Sequence, residues 1–303
     1  MYFWNEYSIQ CLNLKKMRNI LITGTSTGVG FESALLFAKK GFKVYATMRN
    51  LKKSDPLITA AKEEKLTIEI LQLDITDSES ISKAVTTIIE KDGKIDILLN
   101  NAGAGFAKTL EQTSQEEIDW VTDVNYTGVI RTTKAVLPYM RAIRSGHIIN
   151  VTSIGGLVGQ PFNELYCGAK FAVEGFTESL ASYISKPFNI KFSLIEPGGI
   201  ATEFMNSAVQ KTQNEEGELV SGEYAPIFHK YLQGAQDRST NEEVPLYQTG
   251  KQVAEVIVEV ASNENPPLRI RTSTWAENLG NLKTQTDPDG TKLLNHVTSY
   301  FLE

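Results

Sequence analysis

The chain has 303 residues, of which 41% are hydrophobic and 22% are charged, as is typical of a globular protein with a sizeable core. Its formal net charge of −6 gives no support for binding nucleic acid or an anionic membrane, because phosphate neutralisation needs clustered cations. Two cysteines, Cys11 and Cys167, are too few for a disulfide framework. The three histidines, His147, His229 and His296, have no metal-ligand spacing. We therefore expect a cytoplasmic protein without a metal site.

Strand-like and helix-like patterns alternate from residue 18 onward. Residues 1–17 lack the features of a signal peptide, and we interpret them as an appendage to the fold. Strands are predicted at 19–23, 42–47, 66–73, 95–99, 147–151 and 190–195, and helices at 31–40, 56–64, 78–91, 115–143 and 165–185. No apolar run approaches the roughly 20 residues that span a bilayer. The alternation predicts a Rossmann-like α/β fold, a doubly wound parallel sheet in a single domain over 18–303.

A polar segment at about 203–248 interrupts this alternation and contains scattered aromatic residues. A long insertion of this kind is typical of a substrate-binding lid. Phe204, Met205, Tyr224 and Phe228 would suit a bulky apolar substrate, or they could form a small core within the lid. His229 either contacts substrate or is a surface histidine.

A glycine-rich turn, Thr23-Gly-Thr-Ser-Thr-Gly-Val-Gly30, follows the first predicted strand and opens the first helix. A dinucleotide pyrophosphate needs backbone N–H groups at a helix N-terminus and no Cβ in its path. Gly24, Gly28 and Gly30 meet that need, and Ser26 can add a hydroxyl contact. We assign Thr27 and Val29 to the same turn. The alternative is a purely structural turn, which this position after the first strand disfavours.

Arg49 follows the second predicted strand, where many NAD sites place a carboxylate for the ribose hydroxyls. No acidic residue lies between Tyr45 and Asn50. A guanidinium pairs well with a ribose 2′-phosphate, so the sequence favours NADP(H), with NAD(H) possible. Alternatively, Arg49 is a solvated loop cation, as we expect for Lys52 and Lys53.

Tyr166 and Lys170 stand four residues apart on a predicted helix, so both side chains can reach one site. Ser153 precedes Tyr166 by 13 residues and follows the fifth predicted strand, at the sheet edge where such folds bind ligands. A phenol near an ammonium can exchange a proton with a substrate oxygen, and the serine can fix that oxygen. Tyr247 and Lys251 repeat the spacing, but without a comparable serine.

Together these motifs resemble the short-chain dehydrogenase/reductase family over roughly residues 18–203. The resemblance implies a site whose further members are Asp74 and Ile75 at the adenine, Asn101, Ala102 and Gly103 beside the cofactor, Pro197, Gly198, Ile200 and Thr202 around the nicotinamide, and Asn125 holding a water linked to Lys170. From the residues alone, Asp74 is equally a turn or capping residue, and Asn125 a surface or kink residue. The family also implies a homodimer or homotetramer through the helices around the fifth strand.

The function expected from these residues is hydride transfer between NADP(H) and the carbonyl or alcohol carbon of a small molecule. Looser similarities at 44–49 and 266–270 resemble the branch of 17β-hydroxysteroid and retinol dehydrogenases. Two alternatives remain open: a cofactor-binding regulator without turnover, and an epimerase or isomerase that recycles its bound nicotinamide.

Overall fold

A seven-stranded parallel sheet forms the centre of the molecule in the computed structural model, which describes residues 17–201, 217, 219–239 and 247–302. The strands in chain order are β1 (Asn19–Thr23), β2 (Lys43–Met48), β3 (Ile68–Gln72), β4 (Ile97–Asn100), β5 (Gly146–Val151), β6 (Ile190–Glu196), β7 (Gly199–Ala201), β8 (Tyr247–Thr249) and β9 (Arg269–Arg271). The order across the sheet is β3-β2-β1-β4-β5-β6-β9, and β7 pairs separately with β8. The parallel Rossmann-like prediction is confirmed.

Helices cover both faces of this sheet. They are α1 (Gly28–Lys39), α2 (Asp55–Glu63), α3 (Ser78–Asp92), α4 (Gln115–Thr122), α5 (Gly128–Ile143), α6 (Glu164–Phe188), α7 (Ala225–Ser239), α8 (Gly250–Ser262), α9 (Thr274–Thr284) and α10 (Thr291–Leu302). On one face, Val136 and Val173 of α5 and α6 pack in one apolar cluster with the strand residue Ile148. On the other, Phe37 and Ile257 of α1 and α8 belong to a second cluster. Burying each such side chain contributes about 1.5–3 kcal/mol.

Buried polar side chains fasten α5 and α6 to the sheet between β4 and β5. The Asn100 amide donates to Asn150 Oδ1 at 2.8 Å, and its own oxygen accepts from Thr132 Oγ1 at 2.6 Å. Asn150 in turn donates to Thr177 Oγ1 at 2.8 Å. Because unmet polar groups are costly in a core, these bonds fix the register of both helices against the two strands.

The predicted helix 115–143 is wrong in one respect, since it breaks in the middle. α4 ends at Thr122, the turn Asp123–Thr127 is π-helical, and α5 then begins at Gly128. The Gly128 N–H reaches back to Asp123 O. No proline lies at the break. The Asn125 side chain explains where the break falls, because this side chain hydrogen-bonds to the backbone of Ala104, outside the helix. Such π turns are frequent at functional sites.

The strand β9, which completes the seven-stranded sheet beside β6, was not predicted. It has only three residues, Arg269-Ile-Arg271, and pairs with Leu194–Glu196 of β6. Its arginines are almost fully buried because they are paired with carboxylates, among them Glu196. A strand whose buried side chains are charged has no apolar run by which it could be predicted.

The described part of the predicted lid contains α7 and packs on the segment that leads into α6. Phe228 is buried in a cluster with Phe162 and Val220, and the Phe162 and Phe228 ring centroids lie 4.9 Å apart. Phe228 therefore belongs to a small aromatic core, whereas His229 is exposed. Phe204 and Met205 lie outside the described residues.

No helix in the described ranges is both long and apolar enough to cross a membrane.

Candidate active site

The glycine turn between β1 and α1 adopts backbone angles that most residues avoid. Gly24 and Gly28 have φ values of +73° and +62°, in the region where a side chain is strained. Gly30 is needed for another reason, because a Cβ there would lie 2.2 Å from Gly24 O and 2.5 Å from Asn101 Nδ2. Thus two glycines make the turn, and the third lets the helix pack against it.

The N-terminus of α1 fits a dinucleotide phosphate. Thr27 occupies the N-cap position but makes no side-chain cap bond, and the first turn contains no acidic residue. The first N–H groups of the helix are therefore not capped by that side chain, and the positive end of its dipole faces no carboxylate within the turn. Ser26 is half-buried in the turn, whereas the Val29 side chain packs in the core. At Val29 only the backbone can serve a ligand.

α8 closes the other side of the turn. A Cβ on Gly250, its first residue, would come within 3.2 Å of Gly28 C and 3.3 Å of Val29 N. This contact was not predicted, because Gly250 is far from the turn in the chain. One signal in the sequence points to it. Thr249 already caps this helix, so the glycine that follows is not needed as a cap and indicates a close contact instead.

Arg49 lies just beyond the end of β2 with an exposed side chain. No carboxylate among the described residues is ion-paired with its guanidinium. Lys52 and Lys53 follow in a short 3-10 turn and are also exposed. The structure thus leaves a cationic loop at the carboxyl end of β2.

Asp74 forms a turn after β3. One carboxylate oxygen accepts from Thr76 N at 3.0 Å and from Thr76 Oγ1 at 2.8 Å. Asp77, not Asp74, caps α3. The Ile75 side chain points into the core, where its Cδ1 would lie 2.9 Å from a Cβ on Gly128. Any adenine contact here would use the second Asp74 oxygen and the Ile75 backbone.

The segment after β4 is bound to the glycine turn. Asn101 Nδ2 donates to Thr23 O at 3.0 Å and to Gly24 O at 2.9 Å, and Ala102 contacts Gly24 closely. A Cβ on Gly103 would lie 3.0 Å from Asn125 Oδ1 and 3.6 Å from Lys170 Nζ. Gly103 therefore lies between the glycine turn and the Lys170 side of the site.

Ser153 follows β5 and begins a short 3-10 turn. Its Oγ accepts from Gly155 N at 3.0 Å and is hydrogen-bonded to the Tyr166 phenol. The flanking backbone is held to β6, since Thr152 N donates to Ile195 O at 2.7 Å and Ile154 N to Pro197 O at 2.8 Å. The serine is therefore held in place on both sides.

Tyr166 and Lys170 lie on the same face of α6. Lys170 Nζ is 5.7 Å from the centroid of the Tyr166 ring and donates to Val151 O, the last residue of β5, at 3.1 Å. Burial raises the pKa of Tyr166 to about 12, although its hydrogen bond to Ser153 lowers it. Burial lowers the pKa of Lys170 to about 8. Burial is thus the largest influence on both groups, and it disfavours the charged form of each.

Asn125 lies in the π-helical turn with no exposed surface. Its Nδ2 donates to Ala104 O at 2.9 Å and to Val121 O at 3.1 Å, and its Oδ1 accepts from Ala104 N at 3.1 Å. The side chain is thus engaged with backbone, and it holds the loop after Gly103 beside Lys170.

The loop after β6 packs under α9. A Cβ on Gly198 would lie 2.9 Å from Trp275 Cε3. Trp275 was not singled out in the sequence, since a lone tryptophan late in the chain carries no motif. Ile200 lies on β7, and Thr202 lies outside the described residues.

Tyr247 lies on β8, and its exposed side chain precedes the N-cap of α8. Tyr247 and Lys251 therefore do not share a helix face as Tyr166 and Lys170 do. No group of three His, Cys, Asp or Glu side chains in the described part of the chain could hold a metal ion.

The order and placement of these motifs are matched by a family model, short chain dehydrogenase, over residues 18–213. The chain belongs to this family. Short chain dehydrogenases are oxidoreductases, and this member transfers hydride between a nicotinamide cofactor and a carbonyl or alcohol carbon.

Similar relatives cover most of this short chain dehydrogenase. Bovine (Bos taurus) retinol dehydrogenase 8 is 40% identical over 90% of this chain and 86% of its own length. Human 17-beta-hydroxysteroid dehydrogenase type 1 is 36% identical over 94% of this chain and 85% of its own length. The 3-ketodihydrosphingosine reductase of Bacteroides thetaiotaomicron is 36% identical over 83% of this chain and 86% of its own length. The predicted resemblance to the hydroxysteroid and retinol dehydrogenase branch is confirmed.

Among solved structures, the actinorhodin polyketide ketoreductase with NADPH is similar, with a TM-score of 0.73 and 26% identity over 88% of this chain and 98% of that one. A short-chain dehydrogenase from Streptomyces avermitilis has a TM-score of 0.72 and 26% identity over 94% and 97%.

Gly30→Ala should weaken dinucleotide binding at least about tenfold and destabilise the protein by about 1–3 kcal/mol, because the new Cβ collides with backbone of the turn. Fluorescence titration with NADPH and urea unfolding measure the two effects. Gly175→Ala is the control, since a Cβ there meets nothing within 4 Å; it should leave binding unchanged and stabilise the helix by about 0.5–1 kcal/mol. Equal NADPH affinity in both variants would contradict this role of Gly30.

Proposed function

We propose that this short chain dehydrogenase is an NADP(H)-dependent reductase of bulky apolar ketones or aldehydes, with Tyr166 as the proton donor. One observation carries the proposal: Ser153, Tyr166 and Lys170 converge at the carboxyl end of β5, with Ser153 bonded to the Tyr166 phenol and Lys170 Nζ 5.7 Å from its ring.

In the proposed reaction, a carbonyl oxygen lies between the Ser153 and Tyr166 hydroxyls and accepts a hydrogen bond from each. The bound dinucleotide supplies the hydride and, in its oxidised form, a positive charge. As negative charge develops on the substrate oxygen, the Tyr166 hydroxyl gives it a proton. Ser153 is held by Gly155 N–H, so its donation costs little reorganisation.

Lys170 supports this proton transfer from the end of β5. Its ammonium stabilises the phenolate that remains on Tyr166, and its bond to Val151 O leaves further N–H donors for the nicotinamide ribose. Asn125 holds the Ala104 backbone next to Lys170. It would thereby shape the path along which Tyr166 regains the proton that it gives to the substrate. A water held there would link Lys170 to solvent.

The preference for NADP(H) rests on Arg49. Its exposed guanidinium stands at the end of β2, with Lys52 and Lys53 in the next turn and no paired carboxylate among the described residues. A 2′-phosphate there would gain forked, charge-assisted bonds. Since cells commonly use NADPH for reduction, we propose reduction as the working direction and the cytoplasm as the compartment.

A bulky apolar substrate is supported by the relatives, whose names refer to retinol, a hydroxysteroid and a ketodihydrosphingosine. Phe162, four residues before Tyr166, packs against Phe228 and so anchors α7 to the segment before α6. This anchoring suits a lid that covers an apolar substrate. A panel of a 17-ketosteroid, retinal and a long-chain ketone, each with NADPH and with NADH, tests the proposal. Absence of turnover with all three would contradict it.

We also propose that the enzyme is a homodimer through the outer faces of α5 and α6. A cavity of about 330 Å³ opens between these helices, lined by Leu137, Phe176 and Leu180 among others. Tyr139 and Tyr183 are also exposed on the same two helices. A second copy of this face would bury these apolar groups.

Tyr166→Phe should lower kcat about a hundredfold to ten-thousandfold, because the variant has no proton to donate, while NADPH binding stays intact. Absorbance loss at the nicotinamide band and fluorescence titration measure the two quantities. Tyr247→Phe is the matched control, because that tyrosine has the same spacing to a lysine but lies on β8, and it should keep full activity. Unchanged turnover in Tyr166→Phe would refute the proton-donor role.

Arg49→Asp should raise the KM for NADPH at least about tenfold and leave that for NADH nearly unchanged, because the new carboxylate repels a 2′-phosphate. Steady-state kinetics with both cofactors measure the ratio. Lys52→Asp, in the neighbouring exposed turn, carries the same charge change and should have a smaller effect. If both KM values rose equally in Arg49→Asp, the cofactor preference would be wrong.

Leu180→Arg should convert a dimer into a monomer, because the new cation would be buried at the interface near Lys134 and Arg141. Sedimentation velocity measures the mass. Ile227→Arg on α7, where the side chain is 60% exposed, should remain a dimer. A monomeric wild-type protein would contradict the proposal.

A further inference from the structure

A buried ion cluster lies behind Lys170, at the junction of α6, β6 and β9. Its centre is Arg269, whose Nε is 3.3 Å from Glu174 Oε2 and 3.3 Å from Glu196 Oε1. The side chains of Glu174, Glu196 and Arg269 are 5%, 0% and 10% exposed. Arg269 also pairs with Glu178 at the cluster's edge. Buried ion pairs of this kind contribute little net stability over apolar packing, so stability alone does not account for the cluster.

Glu174 connects this cluster to the proposed catalytic residues. It lies four residues after Lys170 on the buried face of α6, as Lys170 lies four after Tyr166. A Cβ on Gly156, three residues after Ser153, would lie 3.1 Å from Glu174 Cγ. The Thr152 hydroxyl also lies beside the Glu174 carboxylate and lowers its pKa. One carboxylate therefore touches the loop that follows Ser153 and stands one helical turn from Lys170.

The other end of the cluster reaches the loop that follows β6. Glu196 is the residue before Pro197, whose carbonyl accepts from Ile154 N at 2.8 Å. Arg271 Nη1 lies 3.3 Å from Glu196 Oε2, and the Nε of the same arginine pairs with Glu277 of α9. Arg269 thus bridges α6 to β6 from the unpredicted strand β9.

Glu174 is the carboxylate of this cluster whose negative charge acts on Lys170. The charged groups that face it are Lys170 and Glu178 from α6, Glu196 from β6, and Arg269 from β9. Burial raises the pKa of Glu174, and the neighbouring Thr152 hydroxyl and Arg269 guanidinium oppose this by stabilising the carboxylate. Burial lowers the pKa of Lys170, and the Glu174 carboxylate acts in the opposite direction.

We propose that Glu174 is a positioning residue that keeps the Lys170 ammonium charged at the end of β5, and that Arg269 holds Glu174 in place by bridging it to Glu196. The inference rests on the proposed role of Lys170 in supporting Tyr166. Without this carboxylate, a larger fraction of Lys170 would be neutral at physiological pH, and the phenolate would lose its cationic neighbour.

The test follows the ionisation of Lys170 directly in the cofactor-free enzyme. The ¹³Cε NMR signal of Lys170, assigned by its loss in Lys170→Arg, is recorded from pH 5 to 11. Glu174→Gln keeps the size and an acceptor oxygen for Arg269 but removes the charge, and we expect it to lower the Lys170 midpoint by about one unit. An unchanged midpoint would overturn the proposal.

Glu178→Gln is the matched control, because Glu178 is on the same helix and pairs with the same arginine but lies one turn further from Lys170. It should shift the midpoint by less than half as much; an equal shift would also overturn the proposal. Glu174→Asp, which restores the charge, should return the midpoint toward that of the wild type.

The unaltered enzyme gives a second measurement if Glu174→Gln does not fold. The wild-type Lys170 signal should show a second, smaller inflection at a pH below its own midpoint, as Glu174 ionises, and its absence would contradict the coupling. Neither readout depends on turnover. A chain that reduces no carbonyl compound would thus refute the proposed function, while the Lys170 shift would still decide this inference.

Discussion

Parallel strand direction is the constraint on which the whole site depends. β1, β4, β5 and β6 are adjacent in the sheet, so their carboxyl ends meet at one edge. The glycine turn follows β1, Asn101 follows β4, Ser153 follows β5, and Pro197 follows β6. Hydrogen bonds then connect these ends to each other, from the Asn101 side-chain amide to Gly24 O and from Ile154 N to Pro197 O. The side chains of α6 reach the same edge because buried Asn and Thr bonds fix that helix against β5.

Burial decides the acid–base behaviour at this edge. Enclosure disfavours charge on both partners, raising the pKa of Tyr166 to about 12 and lowering that of Lys170 to about 8. A phenol with a raised pKa stays protonated at neutral pH, as a group that donates a proton to a carbonyl oxygen must. In the proposed mechanism the Lys170 ammonium stabilises the phenolate that the transfer leaves, and Glu174 keeps that ammonium charged.

The sequence predicted what depends on local pattern. Apolar runs located β1 to β6, and the spacing of the glycines and of Tyr166 and Lys170 indicated the site. What it could not predict depends on distant partners. β9 is a strand because Arg269 and Arg271 meet carboxylates on α6, β6 and α9, and no short window contains those partners. The break at Asn125 depends on Ala104 in the same way. Glu174 carried a signal that was overlooked, since it continues the four-residue spacing of Tyr166 and Lys170 along one buried face.

The central claim is that the Tyr166 phenol lies beside the nicotinamide and exchanges its proton with the substrate oxygen there. The most direct measurement is the titration of the Tyr166 ¹³Cζ NMR signal, assigned by its loss in Tyr166→Phe, with and without NADP⁺. The account predicts a midpoint near 12 in the free protein and a decrease of at least about two units in the complex. A midpoint that does not move when NADP⁺ binds would contradict it.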